Sequence, residues 1–122
     1  GDDFAVYLQR SNKILRVTRE QAVPLQLDSL EAEVATIAAL DVGVAALGLA
    51  DKLNAGAAVL EAAWDGGTYL VQLADGGNFL AYSAAEPQRV EVDGAVTPHA
   101  WSAGRLEVAV LGAGVRQLRL LF

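Results

Sequence analysis

The residues in this chain that could do chemistry are few, and their spacing decides most of what they can do. Fifteen Asp and Glu stand against nine Lys and Arg, one His and no Cys in 122 residues. Cleaving a glycosidic bond takes two carboxyl groups about 5 to 10 Å apart on rigid elements. Glu31 and Glu33, and again Glu91 and Asp93, lie two residues apart, so in a strand each pair shares one face. Such pairs mark a solvated face rather than an acid–base couple. Asp2 and Asp3 belong to a terminus that frays. His99 is the lone histidine, and a Ser–His–Asp arrangement would have to join it to Ser83 or Ser102. Neither serine has the strand–turn–helix setting of a nucleophile elbow. His99 follows Pro98 in a turn-rich stretch and reads as a surface residue. One histidine among scattered carboxylates lacks metal-ligand spacing. The absence of cysteine removes thiolate sites and disulfides. Gly112-Ala113-Gly114 has no following Lys or helix and makes no phosphate cradle. The expectation is no catalytic residue, no metal and no cofactor.

Four rings remain as candidates for binding. Trp64, Tyr69, Tyr82 and Trp101 could stack on the apolar face of a sugar, provided two or more share an exposed surface. Aromatic residues make up only 7% of the chain, so the core has the first claim on them. Packing in the core, or against a neighbouring domain, is the expected role of each.

The elements that must position these residues are strands. A strand pattern runs through 4–9 and 13–18, joined by a polar turn at 10–12, and an alternating stretch follows at 23–28. Asp65-Gly66-Gly67 joins 57–63 to 68–73, and Asp75-Gly76-Gly77 joins the latter to 78–83. Asp93-Gly94 links 89–92 to 95–101, Ala103-Gly104 precedes 105–110, and the 112–114 glycine turn precedes 115–122. Short strands with turns every eight to twelve residues predict an antiparallel β-sandwich. The segment 30–40 is rich in helix formers, yet Leu30, Ala32, Val34, Thr36 and Ala38 alternate with Glu31, Glu33 and Ala35. Burying two or three of these side chains, at about 1.5–3 kcal/mol for the larger ones, outweighs propensity differences of a few tenths per residue. A strand is expected there. One short helical turn is expected near 48–53, closed by Asn54 and Gly56.

Composition bounds the partners. Apolar residues are 53% and charged residues 20%, enough to build one core in one domain spanning 1–122. A net charge of −6 argues against nucleic acid, whose binders present a basic face. The apolar runs at 34–40 and 42–50 are too short for a membrane span, and no secretory signal pattern opens the chain. The chain has no Met and begins Gly1-Asp2-Asp3, so a piece of a longer protein is expected.

Several segments, taken in order, resemble a known family. Gly48-Leu49, Lys52-Leu53-Asn54-Ala55-Gly56 and Ala58-Val59 are similar to a segment of plant raffinose synthases and alkaline α-galactosidases (seed imbibition proteins), of glycoside hydrolase family 36. Asn78-Phe79-Leu80-Ala81-Tyr82-Ser83, then Pro87, then Val90-Glu91-Val92-Asp93-Gly94 resembles the C-terminal region of the same family, as does the opening strand Phe4-Ala5-Val6-Tyr7-Leu8. The stretch 27–37 matches in position and alternation. Alanine replaces bulkier residues at many positions, and the turn at 65–67 is tighter than the family's. The resemblance implies an all-β C-terminal domain that packs on a catalytic (β/α)8 barrel. In that family the two catalytic aspartates sit on the barrel, so no catalytic residue carries over here. It further implies α-galactoside sugars as ligands of the parent and a cytoplasmic or plastid location. A stand-alone carbohydrate- or protein-binding sandwich is the alternative.

Overall fold

The computed structural model describes residues 3–9, 11–18, 35–50 and 55–122, and within them the chain forms twelve strands and one 3₁₀ turn. In chain order the strands are β1 (Asp3–Leu8), β2 (Lys13–Thr18), β3 (Ala35–Ala39), β4 (Val44–Leu49), β5 (Val59–Asp65), β6 (Thr68–Leu73), β7 (Gly77–Ser83), β8 (Arg89–Val92), β9 (Ala95–Thr97), β10 (Ala100–Ser102), β11 (Arg105–Val110) and β12 (Arg116–Leu121). They make three antiparallel sheets with orders β2-β1-β3, β10-β11-β7-β4 and β5-β6-β12-β8-β9. The all-β sandwich expected from alternation is the fold.

Two-residue connections close several hairpins because their backbones twist as the strands do. Asp93-Gly94 joins β8 to β9 and Ala103-Gly104 joins β10 to β11, with positive φ at all four residues. Gly104 could not be another residue, because a Cβ there would press on the Tyr82 ring. Segment 35–39 is a strand paired to β1, so burial does prevail over helix propensity there. The rest of the 30–40 segment, and the expected strand at 23–28, lie outside the described residues. Of the helical turn expected at 48–53, Gly48 and Leu49 belong to β4 and 51–54 lie outside the described residues. The 3₁₀ turn comes directly after, at Ala55–Ala58. The expected strand at 95–101 is two strands in two sheets. Pro98 offers no N–H to a ladder, and the chain crosses at Pro98-His99 from the five-stranded to the four-stranded sheet.

The four-stranded sheet is the middle layer of three. One of its faces packs on the five-stranded sheet through Val44, Leu49, Phe79, Ala81, Leu106 and Val108, against Tyr69, Val71, Val90, Leu118 and Leu120. Its other face uses Ala45, Leu47, Leu80 and Tyr82, against Ala5, Tyr7, Ile14 and Ala38 of the three-stranded sheet. Adjacent residues Phe79 and Leu80 therefore serve different cores. β4 keeps this alternation despite an extra residue, because a bulge between Ala46 and Gly48 restores the phase for Leu49. Arg16 lies over the Tyr82 ring at 5.8 Å and pairs with Asp3 at 2.8 Å, closing the seam between two layers.

Candidate functional site

The potential catalytic groups are mostly engaged in holding turns and strands. Asp93 Oδ1 accepts the Gln117 amide at 2.9 Å while Oδ2 pairs with Arg116 at 3.0 Å. These two contacts, the amide first, hold its carboxyl below the ordinary carboxylate range. Asp75 Oδ1 accepts the amides of Gly76 and Gly114, and Arg116 donates to the Ala113 carbonyl, so the 111–115 loop is pinned at two points. Glu91, with its side chain 11% exposed, sits between Arg89 at 3.0 Å and Arg119 at 3.3 Å. It is not the freely solvated carboxylate that the spacing suggested. Asp93 is exposed and Glu91 enclosed, and each has its own arginine partners. Glu31 and Glu33 lie outside the described residues, as does Asp2.

His99 is mostly enclosed, at 15% side-chain exposure, and pairs with Glu86 at 3.1 Å. The buried Ser83 hydroxyl donates to the Ala85 carbonyl, and Ser102 is exposed in β10. No serine–histidine hydrogen bond joins them. Among the described residues no group of three His, Asp or Glu could hold a metal ion. No described helix is long and apolar enough to cross a membrane.

The four aromatic candidates are divided between cores. Trp64 meets Tyr69 edge-on at 5.3 Å and Phe122 at 5.4 Å, and its Nε1 donates to the Asp41 carbonyl at 2.7 Å. Tyr69 is buried, and burial raises its phenol pKa above the usual value. Trp101 packs against the same core and donates from Nε1 to the Ser83 carbonyl at 3.0 Å. Tyr82 lies on the other face of the middle sheet. The four do not line one exposed surface.

Two surfaces escaped the sequence reading. The first is the outer face of the three-stranded sheet. Ala5, Tyr7, Ile14 and Ala38 point into the middle layer, so the alternate residues point away from it. Pairing sets those alternate residues in two rows, Leu15–Val6–Ile37 and Val17–Phe4–Ala39, with Lys13–Leu8 beside them. Lys13 is the one charged side chain among them. Val6, at the centre, is 1% exposed, and Phe4, Leu8, Leu15, Val17 and Ile37 are half-buried. A sheet apolar on both faces is built to be covered on both. The signal was present in Phe4-Ala5-Val6-Tyr7-Leu8, an unbroken apolar run rather than an alternating one.

The second is a depression of about 510 Å³ on the outer face of the five-stranded sheet. Glu61, Gln72 and Gln117 align across β5, β6 and β12, and the adjacent row is Ala63, Leu70, Arg119 and Glu91. Asp65 closes one end. Half-buried Leu70 and neighbouring Ala63 form an apolar floor within this polar rim.

Comparison with known proteins relates the chain to one family. The family model of raffinose synthase or seed imbibition protein Sip1 matches residues 1–110. A galactinol–sucrose galactosyltransferase of Oryza sativa subsp. japonica is 36% identical over 106 residues, covering 77% of this chain and 14% of that protein. The chain therefore spans about one seventh of the length of that curated relative.

Proposed function

The chain belongs to the raffinose synthase or seed imbibition protein family, and on that premise we propose that it is a non-catalytic C-terminal β-sandwich domain of a galactosyl-transferring or α-galactoside-cleaving enzyme. Its role is to buttress a (β/α)8 catalytic barrel of glycoside hydrolase family 36 type, which carries the reacting carboxylates. The parent enzyme works in the cytoplasm or the plastid, the setting the family resemblance implies.

The observation that carries this reading is the second apolar face of the three-stranded sheet. Phe4, Val6, Leu8, Leu15, Val17 and Ile37 form a contiguous apolar layer on the side away from the middle sheet. Val6 at its centre is buried and the residues around it are half-buried, so what this layer offers a partner is the part of Phe4, Leu8, Leu15, Val17 and Ile37 that stays open. Large interdomain contacts use such faces, whereas a catalytic cleft needs convergent polar groups. The carboxylates support the same reading, since Asp3, Asp75, Glu86, Glu91, Asp93 and Glu107 all have structural partners.

The test has two parts. The isolated chain, assayed with α-galactosides as donors, shows neither hydrolysis nor transfer. Turnover that a single Asp or Glu substitution abolished would overturn the proposal. In the full-length enzyme, Leu15→Lys with Val17→Lys lowers the yield of folded, active protein. The same pair in the isolated chain leaves the strand-type circular dichroism spectrum intact and reduces binding of an apolar dye. An unchanged enzyme and unchanged dye binding would remove the docking role.

A further inference from the structure

We propose that the depression on the outer face of the five-stranded sheet binds a neutral polyhydroxylated ligand, a saccharide in chemical class. This site is separate from the apolar docking face, because it lies on the opposite outer surface of the three-layer stack. It also uses none of the aromatic candidates, which pack elsewhere.

The chemistry of the lining narrows the occupant. Glu61 and Asp65 accept hydrogen bonds, Arg119 donates them, and the amides of Gln72 and Gln117 do both. A hydroxyl also does both, so adjacent hydroxyls on a ring can satisfy this mixture in full. A phosphate or carboxylate would face Glu61 and Asp65, and Arg119, the one cation in the described lining, already has Glu91 at 3.3 Å. An apolar ligand would cover Glu61, Asp65, Gln72 and Gln117 without replacing the water they lose. The floor of Ala63 and Leu70 is the right surface for the C–H face of a pyranose, and it is too small for a helix or a strand.

The positions are also held. Gln72 and Gln117 lie on β6 and β12, the paired interior strands of the sheet. Arg119 is kept in place by Glu91, which Arg89 grips from its other side. The backbones that carry the two amides and the Arg119 guanidinium are thus fixed in advance, which limits the freedom lost on binding. With a shallow floor and no ring to stack on, the affinity falls near the millimolar end of the scale.

The experiment is an amide NMR titration of the whole chain with melibiose, lactose and maltotriose, and with inorganic phosphate in parallel. A saturable shift with at least one sugar, confined to amides of β5, β6 and β12, is the expected result. Phosphate leaves those amides unmoved. Gln72→Ala with Gln117→Ala weakens the sugar about tenfold or more, as the loss of two polar contacts should. The isosteric pair Glu61→Gln with Asp65→Asn, which keeps shape and folding, weakens it as well. Absence of a saturable shift with every sugar, shifts centred on another surface, equal shifts with phosphate, or unaltered binding in both double variants would overturn the proposal.

Discussion

Arg105 on β11 holds Asn12 in the turn between β1 and β2, across 93 positions of sequence, through Nη1 to the carbonyl at 2.8 Å and Nη2 to Oδ1 at 2.7 Å. Asn12 has a positive φ of 57°, and the Tyr7 hydroxyl reaches the same Oδ1. One guanidinium thus ties the three-stranded sheet to the middle layer. Arg105→Ala should cost about 1–2 kcal/mol, the value of charge-assisted hydrogen bonds at a partly exposed site. Urea unfolding measures the loss. Hydrogen exchange should quicken in β1 and β2 and stay unchanged in β6 and β12.

Asp93 sets an acid limit. Folding holds its carboxyl below the unfolded value of about 3.9. Its contribution is present above that value and is lost as pH falls through the lower folded one. Asp93→Asn retains an acceptor for the Gln117 amide and suits the positive φ of the turn. The variant should melt below the parent protein at pH 7 and close to it at pH 2, so the difference in Tm narrows on acidification.

Val42 occupies a conformation that its side chain resists. It has φ 48° in the turn between β3 and β4, and it is 82% exposed. A β-branched residue in the left-handed region costs about 1–2 kcal/mol. Val42→Asn should therefore stabilise the chain by about 1 kcal/mol, because little packing is lost and the backbone strain falls. A thermal melt showing no gain would mean that Val42 makes contacts its exposure does not suggest.

Glu91 compensates two arginines that would otherwise face each other across β8 and β12. Glu91→Gln keeps the shape and removes the charge. The expected loss is about 1 kcal/mol, discounted because both arginines are half exposed. It should shrink in 1 M salt, where screening over about 3 Å weakens the pairs in the parent protein. A loss independent of salt would assign the effect to packing.

Much of the fold was legible because turns and alternation are local. Asp65-Gly66-Gly67 and Asp93-Gly94 announce their hairpins, and the alternation read over 30–40 points to the strand found at Ala35–Ala39 against its own helix propensity. The third layer was not legible. Whether Val6 and Tyr7 face one core or two depends on which sheet lies above β1, and no local pattern reports that. The site was harder still. Glu61, Gln72 and Gln117 come into one row only through pairing of strands distant in sequence. The aromatic rings were visible at once, yet their place in the cores follows from the same long-range pairing.

The alternation of β7 between two cores restricts how this chain can change in length. Deleting one residue ahead of Phe79 would exchange the faces of every side chain through Ser83, sending Phe79 toward Ala5 and Leu47 and turning Leu80 the other way. Flanked by β11 and β4, β7 has no free margin in which to bulge. β4 has such a margin as an edge strand, and there an additional residue has been absorbed at Leu47-Gly48 with both cores kept. Insertions and deletions should therefore be tolerated along β4 and in the loops and excluded from β7, which fixes the reading frame of both cores.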